Sequence, residues 1–230
     1  KNLDITNRKQ ATDFFNNITP DIIINCAAYT NVDACEKNVK LAEAVNATAP
    51  GILAELSEKK GAVICHISTD YVYKSPLKKT PLKENDILSP INIYGETKLL
   101  GEYNIQKFTN KFFILRTSWM FGYYCENFFK WIIHSAINKK PLNLINDSFG
   151  NPTYAETLAR AILKIIQTDK FGIYNISNIG ATNWFDFGVE ILKTAKIKDA
   201  IITPVSADSL ARPAVRPKYS VMDISKVINT

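Results

Sequence analysis

Apolar segments of two lengths alternate along the chain. Short, almost continuously apolar runs occur at residues 21–26 (DIIINC), 62–68 (AVICHIS) and 112–117 (FFILRT), and longer segments with helical spacing separate them. Strands without polar alternation are typical of a sheet that is covered on both faces, and strands that alternate with helices form parallel sheets. The pattern therefore predicts an α/β fold built on a doubly wound parallel sheet.

The helical segments and two further strands complete this prediction. We expect helices over residues 7–17, 39–60, 93–108, 127–138, 155–168 and 184–195, and strands over residues 142–145 and 172–176. Pro50 and Gly51 lie inside the second helical segment and must break or kink it, because proline lacks the N–H group and collides with the preceding turn. Residues 204–218 contain three prolines and predict an ordered loop.

The composition excludes several classes of protein. The chain has 230 residues, of which 46% are hydrophobic and 22% charged, so it can bury a full core. Its net charge is +6, but the lysines are scattered rather than striped along one face, which disfavours a nucleic-acid partner. No apolar run approaches the roughly 20 residues of a membrane span, and the first eight residues are too polar for a signal peptide. We therefore expect a cytoplasmic protein with no membrane partner.

The cysteines and histidines do not suggest a metal site. No C-x-x-C pair occurs among the four cysteines, which are Cys26, Cys35, Cys65 and Cys125. This spacing suits reduced thiols better than a disulfide framework or a zinc site. Only two histidines are present, and His66 lies within a strand-like run, where we expect a structural role.

The strongest chemical motif is Tyr94-Gly95-Glu96-Thr97-Lys98, a Y-x-x-x-K at helical spacing. Residues i and i+4 share a helix face, so the ammonium of Lys98 is expected near the phenol of Tyr94. Such a cation lowers the pKa of tyrosine from about 10, which suits a general acid that protonates a carbonyl oxygen. The spacing alone is a weak signal.

Three strand ends carry further polar or small residues. Thr69 follows the strand at 62–68, in HISTDYV, where its hydroxyl or that of Ser68 can donate to the same carbonyl oxygen. Residues 25–30 (NCAAYT) offer small side chains beside a flat cofactor, and residues 116–119 (RTSW) add polar groups and a large ring. Open α/β sheets bind ligands at the carboxyl ends of their strands. Because three strand ends all carry residues suited to a ligand or to catalysis, together they predict an enzyme.

A dinucleotide-binding fold normally opens with a strand, a glycine-rich turn and a helix that takes the pyrophosphate. No G-x-G-x-x-G or G-x-x-G-x-x-G motif occurs among the nine glycines. We therefore expect a Rossmann-like sheet that lacks its first β-α-β unit. Either the native protein is longer, or the chain is genuinely short and binds a dinucleotide poorly.

Several motifs resemble those of the dTDP-4-dehydrorhamnose reductase family of extended short-chain dehydrogenases/reductases. The matching segments, in order, are LDIT, NCAAYTNVDACE, VNAT, HISTDYVY, SPINIYGETKLLGE, LRTSWMFG, NF, GNPT and RPKYSVMDISK. The resemblance implies reduction of the 4-keto group of dTDP-6-deoxy-L-lyxo-4-hexulose to dTDP-L-rhamnose by NADPH or NADH. It also implies a possible homodimer with Mg²⁺ at the subunit contact, although no matching acidic cluster can be identified.

The resemblance assigns roles residue by residue. Tyr94 is the proton donor, Lys98 holds the nicotinamide ribose and tunes Tyr94, and Thr69 orients the sugar carbonyl. Positions that match the cofactor site are Asp4, Ile5, Ala27, Ala28, Tyr29 and Lys98. Positions that match the substrate site are Thr69, Asp70, Trp119, Asn127 and Arg216, the last two toward the diphosphate.

The same resemblance suggests two domains. Residues 1–122 with about 152–170 are expected to form the dinucleotide-binding domain, and about 123–151 with 171–230 a smaller substrate-binding domain. Two departures from the family pattern, Tyr73-Lys74-Ser75 in place of Phe-Asp-Gly and Asp147-Ser148 in place of Asp-Gln, put the identity of the sugar in doubt.

Two rival interpretations remain open. A non-catalytic, reductase-like regulatory subunit need not keep the Thr69, Tyr94 and Lys98 set that is intact here. Another nucleotide-sugar 4-keto reductase or epimerase would keep the set but act on a different sugar.

Overall fold

The computed structural model describes residues 3–76, 79–124 and 126–230. Its α-helices are α1 (Arg8–Asn16), α2 (Val32–Lys37), α3 (Val39–Glu43), α4 (Ala49–Lys60), α5 (Ile93–Phe108), α6 (Phe128–Ile137), α7 (Ala155–Ile165), α8 (Trp184–Thr194) and α9 (Ser225–Ile228). Its strands are β1 (Ile22–Asn25), β2 (Val63–Thr69), β3 (Phe112–Thr117), β4 (Met120–Phe121), β5 (Leu142–Ile145), β6 (Phe149–Gly150), β7 (Thr153–Tyr154), β8 (Gly172–Asn175), β9 (Thr182–Asn183) and β10 (Ile202–Val205). Short 3-10 turns cover Asp70–Val72 and Ala207–Ser209.

Four parallel strands form the main sheet, in the order β1-β2-β3-β8. Alternate residues of its central strands face opposite sides, so two cores form. Ile64 and Ile114 pack with helices α1, α4 and α5, whereas Cys65, Phe113 and Leu115 pack with α7. The predicted doubly wound parallel sheet is therefore confirmed, with strand ends within two residues of the expected ones.

The segment around Pro50 stays helical but changes its hydrogen-bond spacing. A π-helical turn, Ala44–Thr48, joins α3 to α4, and Pro50 occupies the first turn of α4. Because proline has no N–H, the carbonyl of Asn46 is released from helical bonding to residue 50. The predicted break is thus a local widening of the helix just before Pro50.

A third core is formed by elements outside the main sheet. The parallel pair β5 and β10 packs against α6 and α8 through buried apolar side chains, which are Ile132, Ala136, Leu142, Leu144, Ile191 and Leu192. Pro204 lies in β10, so the expected loop begins two residues later than predicted. Helix α2 was not predicted, because it has only six residues.

The sheet takes in part of the segment assigned to the substrate-binding domain. Strand β8 pairs with β3, and Val227 of α9 packs in the same core. These two segments thus complete the main sheet and its cover. The division into two domains, with its boundary at about residue 170, stays a prediction.

Candidate active site

The carboxyl ends of β1, β2 and β3 meet at one edge of the sheet, where they line a crevice of about 610 Å³. Parallel pairing brings Asn25 level with His66 and Thr69 level with Thr117, so the residues that follow these strands are neighbours. The lining includes Cys26, Ala28, Thr69, Asp70, Tyr94, Lys98, Thr117 and Trp119. The structure therefore brings together the predicted Thr69, Tyr94 and Lys98.

The start of α5 fixes Tyr94 close to the end of β2. Asn92 caps the helix, because its Oδ1 accepts a hydrogen bond from the amide of Gly95 at 2.8 Å. A Cβ at Gly95 would collide with the carbonyl oxygen of Tyr71, so only glycine permits this approach of backbone to backbone. The rings of Tyr94 and Tyr71 then meet edge to face, with centroids 5.7 Å apart.

The environment of Tyr94 differs from the sequence expectation. Burial raises the pKa of Tyr94 to about 12, and hydrogen bonding with Thr69 opposes this only in part. The nearby carboxylate of Asp70 also raises the pKa of Tyr94. A cation was expected to lower the pKa, yet no hydrogen bond joins Lys98 to Tyr94 in the described part of the chain. With a pKa of about 12, the phenol of Tyr94 keeps its proton at neutral pH.

The amine of Lys98 is turned toward strand β2. Its Nζ donates to the carbonyl oxygen of Ile67 at 2.6 Å and lies 3.0 Å from Nε2 of His66. The side chain is almost completely buried, and this burial lowers the pKa of Lys98 to about 8. Glu102, one turn further along α5, opposes the lowering. His66 is a buried strand residue, as expected, but its contact with Lys98 was not foreseen.

A buried ion pair joins helix α5 to strand β3. Arg116 of β3 donates from Nη2 and Nε to the two carboxylate oxygens of Glu102, at 2.6 and 3.0 Å, and both side chains are fully buried. Ser68 Oγ donates to the same carboxylate at 2.5 Å. Arg116 also donates to the hydroxyl of Tyr73, which donates to Asn175 at 2.7 Å. The tyrosine that departs from the family pattern is thus part of a satisfied buried network.

Asn46 fixes the chain segment that follows β1 by hydrogen bonds to its backbone. Its side chain accepts from the amide of Tyr29 at 2.8 Å and donates to the carbonyl of Tyr29 and to Thr97 of α5. Ala27 is held separately, because its amide donates to Asn25 Oδ1 at 3.1 Å. Two asparagines that sequence reasoning missed therefore fix the predicted segment Ala27, Ala28 and Tyr29, of which Ala28 lines the crevice.

Other predicted site residues lie away from this crevice. Asp4 and Ile5 precede α1, where Asp4 accepts from Thr6 and Ile5 packs on the core. Asn127 caps α6 and donates to the carbonyl of Gly122. None of these three is among the residues that line the crevice.

The substrate-side loop, residues 206–218, lies across a second cavity of about 530 Å³. Arg216 is bound there in a two-pronged ion pair, with Nη1 2.5 Å and Nη2 2.6 Å from the carboxylate of Asp33. Arg212 lines the same cavity, and its guanidinium makes no hydrogen bond or ion pair with any described residue. Arg216, which was predicted to contact the substrate, is therefore already paired with Asp33. Arg212 has no such partner among the described residues.

Trp119 lines both of these cavities. Its φ of 46° is a left-handed conformation that bulky residues rarely adopt, and such strain is frequent at functional sites. The indole stacks on Trp184 with centroids 3.6 Å apart, and a Cβ at Gly150 would lie only 2.6 Å from the Trp119 ring. Trp184 and Arg212 also line a third, smaller cavity of about 390 Å³ together with Phe128 and Trp131.

Comparison with known proteins decides the family. The family described as RmlD substrate binding domain matches residues 1–230. A dTDP-4-dehydrorhamnose reductase of Escherichia coli (strain K12) is 35% identical over 233 residues, covering 97% of this chain and 78% of the relative. The chain belongs to the dTDP-4-dehydrorhamnose reductase family. The spore coat polysaccharide biosynthesis protein SpsK of Bacillus subtilis (strain 168) is 36% identical, covering 96% of this chain and 77% of the relative.

Solved structures agree with this membership. The dTDP-4-dehydrorhamnose reductase of Bacillus anthracis, solved in complex with NADP, superposes with a TM-score of 0.95 at 39% identity, over 99% of this chain and 80% of the other. The UDP-glucose 4-epimerase of Thermus thermophilus, at 17% identity and a TM-score of 0.86, shares the fold. The predicted Rossmann-like α/β fold is thereby confirmed for this reductase-family chain.

Two further findings concern the described residues only. They contain no group of three or more His, Cys, Asp or Glu side chains arranged to hold a metal ion. None of their helices is long and apolar enough to cross a membrane.

Proposed function

We propose that the chain catalyses the NAD(P)H-dependent reduction of the 4-keto group of dTDP-6-deoxy-L-lyxo-4-hexulose to dTDP-L-rhamnose. The observation that carries the proposal is the meeting of Thr69, Tyr94 and Lys98 in one crevice at the carboxyl ends of parallel strands. Membership of the reductase family supports the reaction and the sugar class.

The crevice suits a nicotinamide cofactor. The small side chains Cys26 and Ala28 line one wall, which leaves room for a flat ring. The hydroxyl of Thr117 lines the same crevice and is buried without a partner among the described residues, as expected for a group that a ligand completes. The Bacillus anthracis relative was solved in complex with NADP. We assign cofactor contacts to Ala27, Ala28, Tyr29 and Lys98, with Asp4 and Ile5 toward the adenine end.

The bound cofactor supplies the hydride that reaches the carbonyl carbon. Tyr94 donates its phenolic proton to the carbonyl oxygen as negative charge develops there, and solvent restores the proton afterwards. In the ligand-free structure Thr69 donates its one hydroxyl proton to Asp70, and on substrate binding this hydroxyl would turn to donate to the same carbonyl oxygen and so orient the carbonyl. Lys98 contacts the ribose, and its ammonium stabilises the phenolate that Tyr94 becomes after donation.

Asp70 is a second polar group beside the carbonyl site. Burial raises the pKa of Asp70 to about 6, while hydrogen bonds with Ser220 and Thr69 oppose the rise. Its Oδ1 accepts from Thr69 Oγ1 at 3.1 Å, so the carboxyl orients the threonine and is available to a sugar hydroxyl. Trp119, which lines both cavities, completes the sugar site.

We assign the diphosphate to Arg212 rather than to Arg216 or Asn127. Arg216 is already paired with Asp33, and Asn127 caps α6. Arg212 is a cation without a described partner, next to the cavity walled by Phe128, Trp131 and Trp184. An arginine beside aromatic walls suits a pyrimidine base that carries phosphates.

From composition and resemblance we also expect a homodimer and a cytoplasmic location. We expect no nucleic-acid partner and no membrane partner. The sugar-nucleotide is the partner that the family supports best.

The test is oxidation of NADPH or NADH by the full chain with the dTDP-4-keto-sugar, compared with UDP-linked 4-keto-sugars. Tyr94→Phe should lower turnover by about 10²–10⁴-fold, the range typical of a lost general acid. Tyr103→Phe is the matched control, because Tyr103 is an exposed tyrosine on the same helix. Equal turnover in Tyr94→Phe and Tyr103→Phe would contradict the catalytic assignment.

A further inference from the structure

His66 lies between two polar side chains in the middle of the sheet. It is fully buried on β2, with Nδ1 3.0 Å from Nδ2 of Asn25 on β1 and Nε2 3.0 Å from Nζ of Lys98 on α5. Both ring nitrogens therefore have one close polar neighbour. The protons on these three groups must be mutually consistent, because a buried hydrogen-bonding group is costly to leave unsatisfied.

The backbone fixes the orientation of Asn25. The amide of Ala27, which can only donate, lies 3.1 Å from the Asn25 side chain, so the atom facing it must be the carbonyl oxygen Oδ1. The NH₂ group then faces His66 and can only donate to Nδ1. A neutral imidazole carries one proton, which must consequently lie on Nε2. Burial keeps the imidazole neutral, since it holds the pKa of His66 well below its usual value.

The consequence appears at Lys98. The Nε2–H group of His66 points at Nζ, and an ammonium has three donors but no acceptor. The contact is satisfied only when Nζ is a neutral amine whose lone pair accepts from His66. The amine still donates to the carbonyl oxygen of Ile67.

Other ionisable groups around this contact do not remove that constraint. Glu102 and Cys26 raise the pKa of Lys98, but the Glu102 carboxylate is already bound by Arg116 and Ser68, and burial is the larger influence. The ionisable and charged groups on the neighbouring elements are Cys26 after β1, Cys65 on β2, Asp70 and Tyr71 after β2, Tyr94 and Glu102 on α5, and Arg116 on β3.

We propose that His66 is a positioning residue whose tautomer is coupled to the charge of Lys98: the arrangement seen here fits the neutral amine, and forming the ammonium requires Asn25 and His66 to exchange hydrogen-bond roles. A proton from solvent joins the lone pair of Nζ, and the proton of His66 moves from Nε2 to Nδ1. Nε2 then accepts from the ammonium. The Asn25 amide rotates to accept from Nδ1–H and releases the amide of Ala27.

This exchange couples Lys98 to the strand end along the crevice. The released Ala27 amide becomes available to a ligand acceptor, so a ligand that bonds there favours the ammonium form of Lys98. The functional meaning of the coupling rests on the proposed role of Lys98 as the cation that assists Tyr94. The hydrogen-bond arrangement itself does not rest on that role.

The direct test is ¹⁵N NMR of the imidazole in the full chain carrying His134→Gln, without substrate or cofactor. His134 is exposed on α6, so its replacement leaves His66 as the only imidazole. Above the Lys98 pKa of about 8 we expect a protonated Nε2 and an unprotonated Nδ1, and below it the proton should lie on Nδ1. A tautomer that stays the same across this pH range, or a doubly protonated ring at neutral pH, would overturn the proposal. This measurement needs no turnover, so it remains decisive even where the proposed reaction fails.

A second variant reverses the arrangement. In Asn25→Asp the carboxylate accepts from both Ala27 and His66, so the His66 proton should move to Nδ1 and Lys98 should keep its ammonium to higher pH. The fall in turnover with rising pH should then move upward by roughly one pH unit. In a His66→Leu background, Asn25→Asp retains its added charge but has no imidazole, and most of that shift should vanish. A shift of equal size in both backgrounds would mean simple attraction between charges and would contradict the role of His66.

Discussion

Around Lys98 the polar contacts join residues of strands and helices, whereas around Arg212 they join loop residues to one another or to the first residues of helices. Glu102 and Arg116 lie on α5 and β3 and are fully buried. On the substrate side, Lys218 pairs with Asp208 and Asp147 accepts from Ser206, all on exposed loop positions or beside them. The proton-transfer region is therefore built into the main sheet, and the substrate-side loop is attached to it by contacts that are exposed or only partly buried.

The difference suggests separate demands on the two regions. Transfer of a proton requires fixed distances between groups, which regular elements and buried networks provide. Entry and exit of a nucleotide-sugar require a surface that can open, and loops with exposed contacts open at low cost. Substitutions in the first region should therefore act mainly on stability and turnover, and those in the second mainly on affinity.

The largest expected effect concerns the buried ion pair. Glu102→Gln leaves the guanidinium of Arg116 without its counter-charge in a fully buried position. Removing one partner of such a pair typically costs about 3–5 kcal/mol of unfolding free energy. Denaturant unfolding followed by circular dichroism measures the loss.

Glu55→Gln is the control for that experiment. Glu55 pairs with Arg8 and Lys59, whose side chains are largely exposed, so its loss should cost no more than about 1 kcal/mol. Similar losses in the two variants would remove the distinction between the buried and the surface-attached regions.

An intermediate effect is expected at Arg212. Hydrogen bonds to a charged group contribute about 1.5–3 kcal/mol, so Arg212→Ala should raise KM for the nucleotide-sugar roughly 10–100-fold. Turnover at saturation should change little, because the guanidinium lines the cavities beside the carbonyl site and not the crevice of Tyr94. Steady-state kinetics at several salt concentrations measures both quantities.

Arg160→Ala provides the matched loss of an arginine. Arg160 lies exposed on α7, where it pairs with Glu156. An unchanged KM in Arg212→Ala, together with a raised KM in Arg216→Ala, would return the diphosphate contact to Arg216.

The difference between the region around Lys98 and the region around Arg212 also explains which features the sequence could predict. Continuous apolar strands and a Y-x-x-x-K on one helix were enough to place Thr69, Tyr94 and Lys98 together, since the ends of parallel strands meet at one edge. The pairing of Asp33 with Arg216 joins positions 183 residues apart through a loop whose path has no periodic pattern. It was therefore not predictable, and the diphosphate role given to Arg216 rested on resemblance alone.

The protonation of the site was equally hidden. The i, i+4 spacing indicates that Lys98 and Tyr94 share a helix face, but it does not show where the amine points. The answer depends on His66 and Ile67, which occupy the strand beneath the helix. Burial, which raises the pKa of Tyr94, also depends on the packing of several elements at once.

The smallest expected effect is at Asp33, which anchors the substrate-side loop to α2. Its carboxylate holds Arg216 and accepts from the amide of Ala214 at 3.1 Å. Hydrogen bonding with Arg216 lowers the pKa of Asp33 in the folded protein, although burial opposes it. The stabilisation is therefore present above the unfolded-state pKa of about 4 and is lost as pH falls through the lower folded-state value.

Asp33→Asn should consequently lower the unfolding free energy by at most about 1 kcal/mol at pH 7, because the pair is partly exposed. The difference from the wild-type protein should shrink as pH falls below about 4. Thermal unfolding across this pH range measures it, and hydrogen exchange at Ala214 reports the loop directly. A loss as large as that of Glu102→Gln would show that the loop is an integral part of the folded core and not a surface attachment.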